Sequence, residues 1–351
     1  MKLNDEIVIS LDCFGGDNSP SAIIEGMAIF FKKNKHLKDN IKFLLFGNSE
    51  LIEKELRKYK KETIYYDIVH TDKKISSEEK PSIAVRRGKD SSMWLAIESV
   101  KEKRANACIS AGNTGALMAI SKLLLRTLPN VDRPALIQTM PVQNGASVAL
   151  LDMGANIDCT SENLYQFALM GSIYYSAMVG KETPRIGLLN VGSEDLKGND
   201  VVKHTAVMLK ESPLKDSFYG FVEGNDIFRN IVDVIVTDGF TGNVALKTIE
   251  GTVKFLTSNI KNMLKHSILT IIGSIFLFNS LKKFKKKMNP DNYNGALFIG
   301  LNGISVKSHG NANGQAFCCA IENTLKLIKG NINEKIINIL NEAEIEIENN
   351  Q

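Results

Sequence analysis

Five short stretches put glycine beside amide, hydroxyl and carboxylate side chains: DCFGGDN at 12–18, AGNTG at 111–115, DMGAN at 152–156, EDLKGN at 194–199 and DGFTGN at 238–243. Each follows an apolar run and precedes a helical pattern. Backbone N–H groups at the start of a helix are unpaired, and the helix dipole favours anions there, so such turns suit phosphate. On this reading Asp12, Gly15, Gly16, Asp17, Asn113, Thr114, Gly115, Asn156, Asn199, Gly239, Thr241 and Gly242 are candidate phosphate- or substrate-binding residues. Lys197 and Asn243 could neutralise phosphate or a developing oxyanion. Asp238 is expected to hold its loop through backbone N–H groups or to orient Lys197. His309, in KSHGNANG (307–314), is a fourth catalytic candidate. Arg86, Arg87 and Lys89 form a second basic group beside Ser91 and Ser92. The plainer alternative is that these are ordinary turns, where Gly and Asn are common because they tolerate positive φ. Lys197 would then be a solvated lysine and His309 a packed or exposed loop histidine.

Other chemistries lack their motifs. There is no G-x-S-x-G elbow, no H-E-x-x-H and no dinucleotide or P-loop glycine pattern. The five histidines (36, 70, 204, 266 and 309) are scattered and suggest no Ser-His-Asp order. The five cysteines are odd in number and hold no C-x-x-C pair, which suits a reducing cytoplasm and argues against disulfides or zinc. No metal or cofactor is expected. The N-terminus runs from charged residues straight into a strand pattern and does not read as a signal peptide. A reaction that needs phosphate binding and an oxyanion site, with no protein nucleophile, is acyl transfer to phosphate. Phosphate itself attacks, and the enzyme positions the reactants and stabilises the tetrahedral intermediate.

These turns need an α/β frame. Strand–loop–helix patterns recur at 6–31, 107–125, 147–171, 185–209 and 233–251, which predicts a largely parallel sheet with its polar loops converging on one edge. Residues 32–80, with weak strand signals at 41–46 and 64–69, read as scaffold, and 332–348 as a surface helix. Residues 252–289 break the pattern. Val253, Leu256, Ile260, Met263 and Leu264 share one helical face, with Lys254, Lys261 and Lys265 opposite. The uncharged run 268–278 follows, too short to span a bilayer, and then a lysine cluster. Residues 251–290 hold eight lysines and no Asp, Glu or Arg, whereas the whole chain is only +4. The basic character is therefore local, and nucleic-acid binding is not expected. An amphipathic helix, an apolar tip (Ile271, Ile272, Phe276, Leu277) and a basic flank (Lys282, Lys283) suit an anionic membrane surface. A core hairpin or dimer interface is the alternative.

The chain resembles the PlsX-type phosphate acyltransferases of bacterial phospholipid synthesis. The shared motifs run in order: DCFGGDNSP (12–20), KPSIAVRRGKDSSM (80–93), SAGNTGALMA (110–119), RPAL (133–136), LDMGAN (151–156), GLLNVGSEDLKGN (187–199), VEGNDI (222–227), VTDGFTGNVALKTIEG (236–251) and KSHGNANG (307–314). Cys13-Phe14 replaces the family's Ala-Met, and Gly88 stands where lysine is common. The resemblance implies transfer of a fatty acyl group from acyl carrier protein (ACP) to inorganic phosphate. A membrane glycerol-3-phosphate acyltransferase would use the resulting acyl phosphate. It implies a doubly wound α/β fold like those of isocitrate/isopropylmalate dehydrogenases and phosphate acetyltransferases. Two interleaved subdomains would fill 1–330, a protruding helical segment 252–290, and a C-terminal surface helix 331–351. It further implies a homodimer in the cytoplasm, held peripherally at the inner face of the cell membrane. ACP is acidic, so the lysine-rich face is also a docking surface for it. A phosphate acetyl- or butyryltransferase using acyl-CoA, and a non-catalytic membrane scaffold, are the competing readings.

Overall fold

The computed structural model describes residues 6–37, 39–59, 65–264, 276–277, 279–280, 282 and 290–349. Lys265, Ile271, Ile272 and Lys283 lie outside the described residues.

Apolar runs rich in Val, Ile, Leu and Phe form eleven strands among the described residues: β1 Ile7–Asp12, β2 Ile41–Gly47, β3 Tyr66–His70, β4 Ala107–Ser110, β5 Ala135–Pro141, β6 Ser147–Leu151, β7 Ile186–Leu189, β8 Phe218–Val222, β9 Val234–Val236, β10 Ala296–Ile299 and β11 Ile304–Lys307. Among the described residues ten α-helices with defined ends accompany them: α1 Ser21–Lys33, α2 Ser49–Leu56, α3 Pro81–Arg87, α4 Ser92–Lys101, α5 Thr114–Leu125, α6 Ser161–Val179, α7 Asp200–Lys210, α8 Gly239–Leu264, α9 Gly314–Lys329 and α10 Ile332–Asn349. One sheet takes all the strands in the order β3-β2-β1-β4-β11-β10-β5-β6-β9-β7-β8.

Both faces of this sheet are covered, because adjacent strand residues belong to different cores. Phe43 and Leu45 join one cluster with Phe30, Phe31 and Phe167. Leu44 and Phe46, one position along, join the other with Trp94, Leu117 and Phe298. This accounts for strands that read as continuous apolar runs rather than alternating ones. The C-terminal strands β10 and β11 lie in the middle of the sheet, between β4 and β5. The predicted scaffold strands are present as β2 and β3. Ile332, Ile336, Leu340 and Ala343 bury one face of α10, which packs on α6.

One expectation needs correction. The polar loops do not share a single edge. Strands β1 to β4 and β11 are parallel to their neighbours, and so are β6, β9, β7 and β8. Between these blocks the pairings β11–β10, β10–β5 and β5–β6 are all antiparallel. Three reversals make the two blocks point in opposite directions. The candidate loops therefore form two clusters.

Candidate active site

The first cluster is built where β1, β4 and β11 end. Lys307 pairs in register with Ser110, and Leu11 with Ile109, so Asp12, Ser110 and Lys307 form one row across three strands. Asp12 is 1% exposed and accepts hydrogen bonds from Ser92 Oγ at 2.5 Å and Ser110 Oγ at 2.6 Å. Burial raises its pKa, and these two hydroxyls oppose the rise. Asp12 thus sits beneath the loops as an anchor. A Cβ on Gly15 would lie 2.6 Å from Asp12 Oδ2 and 2.7 Å from Gly112 N, so only glycine lets the two turns close over it. Gly16, at φ +94°, brings Asp17 N to Gly310 O at 2.8 Å. Asn113 caps α5, accepting from Ala116 N, and its amide donates to the carbonyls of Ser77 and Glu79. Thr114 is exposed at the start of α5, and a Cβ on Gly115 would press on Pro81 of α3.

Lys307 is the charged centre of this cluster. Its ammonium donates to the carbonyls of Ala111, at 3.4 Å, and Ser308. Among the described residues no carboxylate pairs with it. Burial pulls its pKa down to about 8; the charge of Lys247 on α8 adds to the fall, while Asp12 and Asp17 oppose it. Buried Asn294 fixes the following loop by donating to Ser308 Oγ at 2.7 Å and accepting from His309 N at 2.9 Å. His309 is half-buried in that loop.

The second cluster forms where β6, β7 and β9 end. Asp152, fully buried, accepts from Leu136 N, Gly154 N, Ala155 N, Asn156 N and Asn156 Nδ2 at 2.7–3.1 Å. This holds the DMGAN loop tightly, and Asn156 is buried within it, donating also to Pro134 O. The DGFTGN glycines pack against that loop. A Cβ on Gly239 would meet the Asn156 carbonyl, and one on Gly242 the Asp152 carbonyl. Asp238 caps α8, accepting from Thr241 N and Thr241 Oγ1, each at 2.8 Å. Gly239 N donates to Asn156 O. Two donors of this helix start are therefore already occupied, one by a carboxylate. Asn243 is exposed beside Gly154. Lys197 is exposed in the loop after β7, and Asn199 caps α7 by accepting from Val202 N. No contact joins Asp238 to Lys197 among the described residues.

The structure thus groups Asp12, Gly15, Gly16, Asp17, Asn113, Thr114, Gly115 and His309 in one cluster. It groups Asn156, Lys197, Asn199, Asp238, Gly239, Thr241, Gly242 and Asn243 in the other. The link between them is α8, whose Lys247 is felt at Lys307. Sequence reasoning did not single out Lys307, Lys247, Asp152 or Asn294. Lys307 and Asp152 each left a local signal, a charged residue ending an apolar strand run, whereas Asn294 and Lys247 did not.

Protein nucleophiles are poorly served. Burial holds the thiols of Cys13, Cys108, Cys159, Cys318 and Cys319 above their ordinary range, Cys108 and Cys318 at about 12 and Cys159 and Cys319 at about 11. One Ser-His-Asp contact exists that spacing did not reveal. Ser49 Oγ lies 2.8 Å from His70 Nδ1, and His70 Nε2 lies 3.4 Å from Asp72. The same Nδ1 accepts from Ser49 N, so the ring caps the start of α2. The His70 and Asp72 side chains are 53% and 73% exposed, which leaves their interaction screened by water. No group of His, Cys, Asp and Glu among the described residues could hold a metal.

The comparisons with known proteins agree with this frame. The sequence pattern of the fatty acid synthesis protein family matches residues 7–335. A phosphate acyltransferase of Paramagnetospirillum magneticum is 47% identical over 330 residues, covering 94% of this chain and 93% of the relative. One from Coxiella burnetii is 44% identical over 344 residues, covering 96% and 98%. Among solved structures, a phosphotransacetylase from Streptococcus pyogenes superposes with a TM-score of 0.59 at 15% identity, covering 92% of this chain and 94% of the other. A branched-chain phosphotransacylase from Enterococcus faecalis gives 0.55 at 13%, covering 92% and 99%. At such identity these two show a shared fold. The curated relatives reach further, and by them the chain is an acyltransferase that belongs to the fatty acid synthesis protein (PlsX) family.

Proposed function

We propose that the protein transfers a fatty acyl group from acyl carrier protein to inorganic phosphate, yielding acyl phosphate for phospholipid synthesis. The observation that carries this reading is the set of glycine-rich loops around the half-buried Lys307, with no activated thiol or buried Ser-His pair among the described residues. A phosphate oxygen attacks the thioester carbonyl; a C–O bond forms, the C–S bond breaks, and the carrier thiolate takes up a proton. Lys197 and Asn243 are proposed to stabilise the tetrahedral oxyanion, and His309 to serve the same reaction from the other cluster. Asp238 contributes by fixing the start of α8. The names of the curated relatives support phosphate as acceptor. Purified protein given acyl-ACP and phosphate should form acyl phosphate without added metal or nucleotide. Free fatty acid as the sole product would exclude the reading. The likeness to phosphotransacetylases favours acyl-CoA as an alternative donor. Turnover with acyl-CoA at least equal to that with acyl-ACP would select it.

The proposed product carries an apolar acyl chain, and α8 offers a route for it. Phe255, Leu256 and Met263 are exposed along this helix, and Phe276 and Leu277 beyond it are 85% and 53% exposed. Lys254 and Lys261 are exposed as well. No described helix is long and apolar enough to cross a membrane. We read this segment as a peripheral contact with an anionic bilayer, delivering acyl phosphate to a membrane glycerol-3-phosphate acyltransferase, in a homodimer. Leu277→Glu should then weaken binding to anionic vesicles while turnover of acyl-ACP persists. Unchanged vesicle binding would remove the membrane role from this segment.

A further inference from the structure

We propose that Lys307, opposed by Lys247 of α8, holds the attacking phosphate. The inference rests on the acyl-to-phosphate reading and adds the subsite within it. Three observations bear on it independently. Lys307 is turned inward at the end of a central strand, where its ammonium meets two main-chain carbonyls and no described carboxylate pairs with it. Lys307 is half-buried and makes no ion pair among the described residues, so an anionic ligand would offset the cost of its partial desolvation. Lys247 of α8, exposed and in the other cluster, adds a second positive charge that acts on Lys307. Like charges held in range of one another favour an anion between them. Finally, the turns around Lys307 present helix starts capped by neutral amides, Asn113 on α5 and Asn313 on α9. Unlike Asp238 on α8, Asn113 leaves the positive end of α5 unneutralised, whereas the Glu25 carboxylate lies against Gly314 at the start of α9. The glycines at 15, 16 and 112 let the turns around Lys307 pack closely on one another, which fixes the loops beside its ammonium.

The arrangement also explains why neither cluster suffices. The floor and the half-buried cation come from β1, β4 and β11, whereas Lys247 comes from the helix that DGFTGN starts. The tight seating of Gly239 and Gly242 on the DMGAN loop fixes the direction of α8, and so the position of Lys247. Lys247 is itself exposed and shared with Glu250 at 2.9 Å, so its contribution is the smaller one.

A pH signature follows. The groups that act on Lys307 are Asp12 and Asp17 from the β1 side and Lys247 from α8. The lysine carries its proton below pH about 8 and loses it above. Phosphate affinity should therefore fall as pH rises through about 8 in the wild type. With arginine at this position, which stays charged, it should hold to higher pH.

The test is steady-state kinetics with acyl-ACP and inorganic phosphate, beside thermal unfolding with and without phosphate. Lys307→Met should raise the KM for phosphate by about 10²-fold, as for loss of one anion-stabilising donor, with the KM for acyl-ACP little changed. Lys307→Arg should recover most of the phosphate affinity, and Lys247→Met should cost on the order of tenfold. Phosphate should raise the melting temperature of the wild type and of Lys307→Arg but not of Lys307→Met. An unchanged phosphate KM in folded Lys307→Met, or equal protection of that variant by phosphate, would overturn the assignment. Protection by phosphate needs no acyl donor, so it tests the subsite even if the donor is not acyl-ACP.

Discussion

Asp12 shows what the individual polar residues of the site do. Its carboxylate lies between two hydroxyls brought from 80 and 98 positions away, Ser92 and Ser110, and also accepts from Phe14 N. Asp12→Ala would leave those buried donors unpaired, at roughly 1–3 kcal/mol each. We expect a stability loss of about 3 kcal/mol in denaturant titration, together with loss of activity. A loss below about 1 kcal/mol would mean that water takes the carboxylate's place. The loop tips that sequence reasoning named lie in the two clusters, and they were legible because glycine, asparagine and threonine at loop starts leave a local pattern. Sequence reasoning passed over Lys307, Asp152 and Asn294, whose importance comes from partners far along the chain. Asp152, for example, gathers Leu136 N as well as its own loop.

At the scale of elements, α8 decides the geometry of the crevice. Its first turn fits against the DMGAN loop only because positions 239 and 242 lack a Cβ. Gly242→Ala should shift that turn and destabilise the fold by about 2–3 kcal/mol, the usual range for overpacking. Gly251→Ala, on the same helix with nothing within 4 Å, should instead stabilise by up to about 1 kcal/mol through helix propensity. Urea midpoints of the two variants should move in opposite directions; a shared direction would show that helix propensity, not the close approach, governs both sites. The strand–loop–helix units themselves were legible, since apolar runs and glycine turns recur along the chain. Their relative direction was not. The clue lay in Asn144-Gly145, both at positive φ, which turns β5 back on β6. A Gln-Asn-Gly turn between two apolar runs is a hairpin signal, and the reversal it causes separates the loops into two clusters.

Across the whole molecule, these clusters, the raised thiols and the exposed length of α8 fit one division of labour. In the proposed reaction the frame positions two substrates, and phosphate supplies the nucleophile. That the last two strands, β10 and β11, lie between β4 and β5 in the centre of the sheet could not be read from the chain, because the pairing joins segments far apart in sequence. Direct attack leaves no acyl group on the protein at any stage, even though Ser49, His70 and Asp72 are in contact. The most direct measurement is intact-protein mass spectrometry with acyl-ACP present and phosphate withheld, with released carrier thiol followed in parallel. Direct attack by phosphate requires an unchanged protein mass and no burst of free thiol until phosphate is added. A stoichiometric burst of thiol with one acyl mass added to the protein, abolished by Ser49→Ala or by replacing a cysteine, would contradict it.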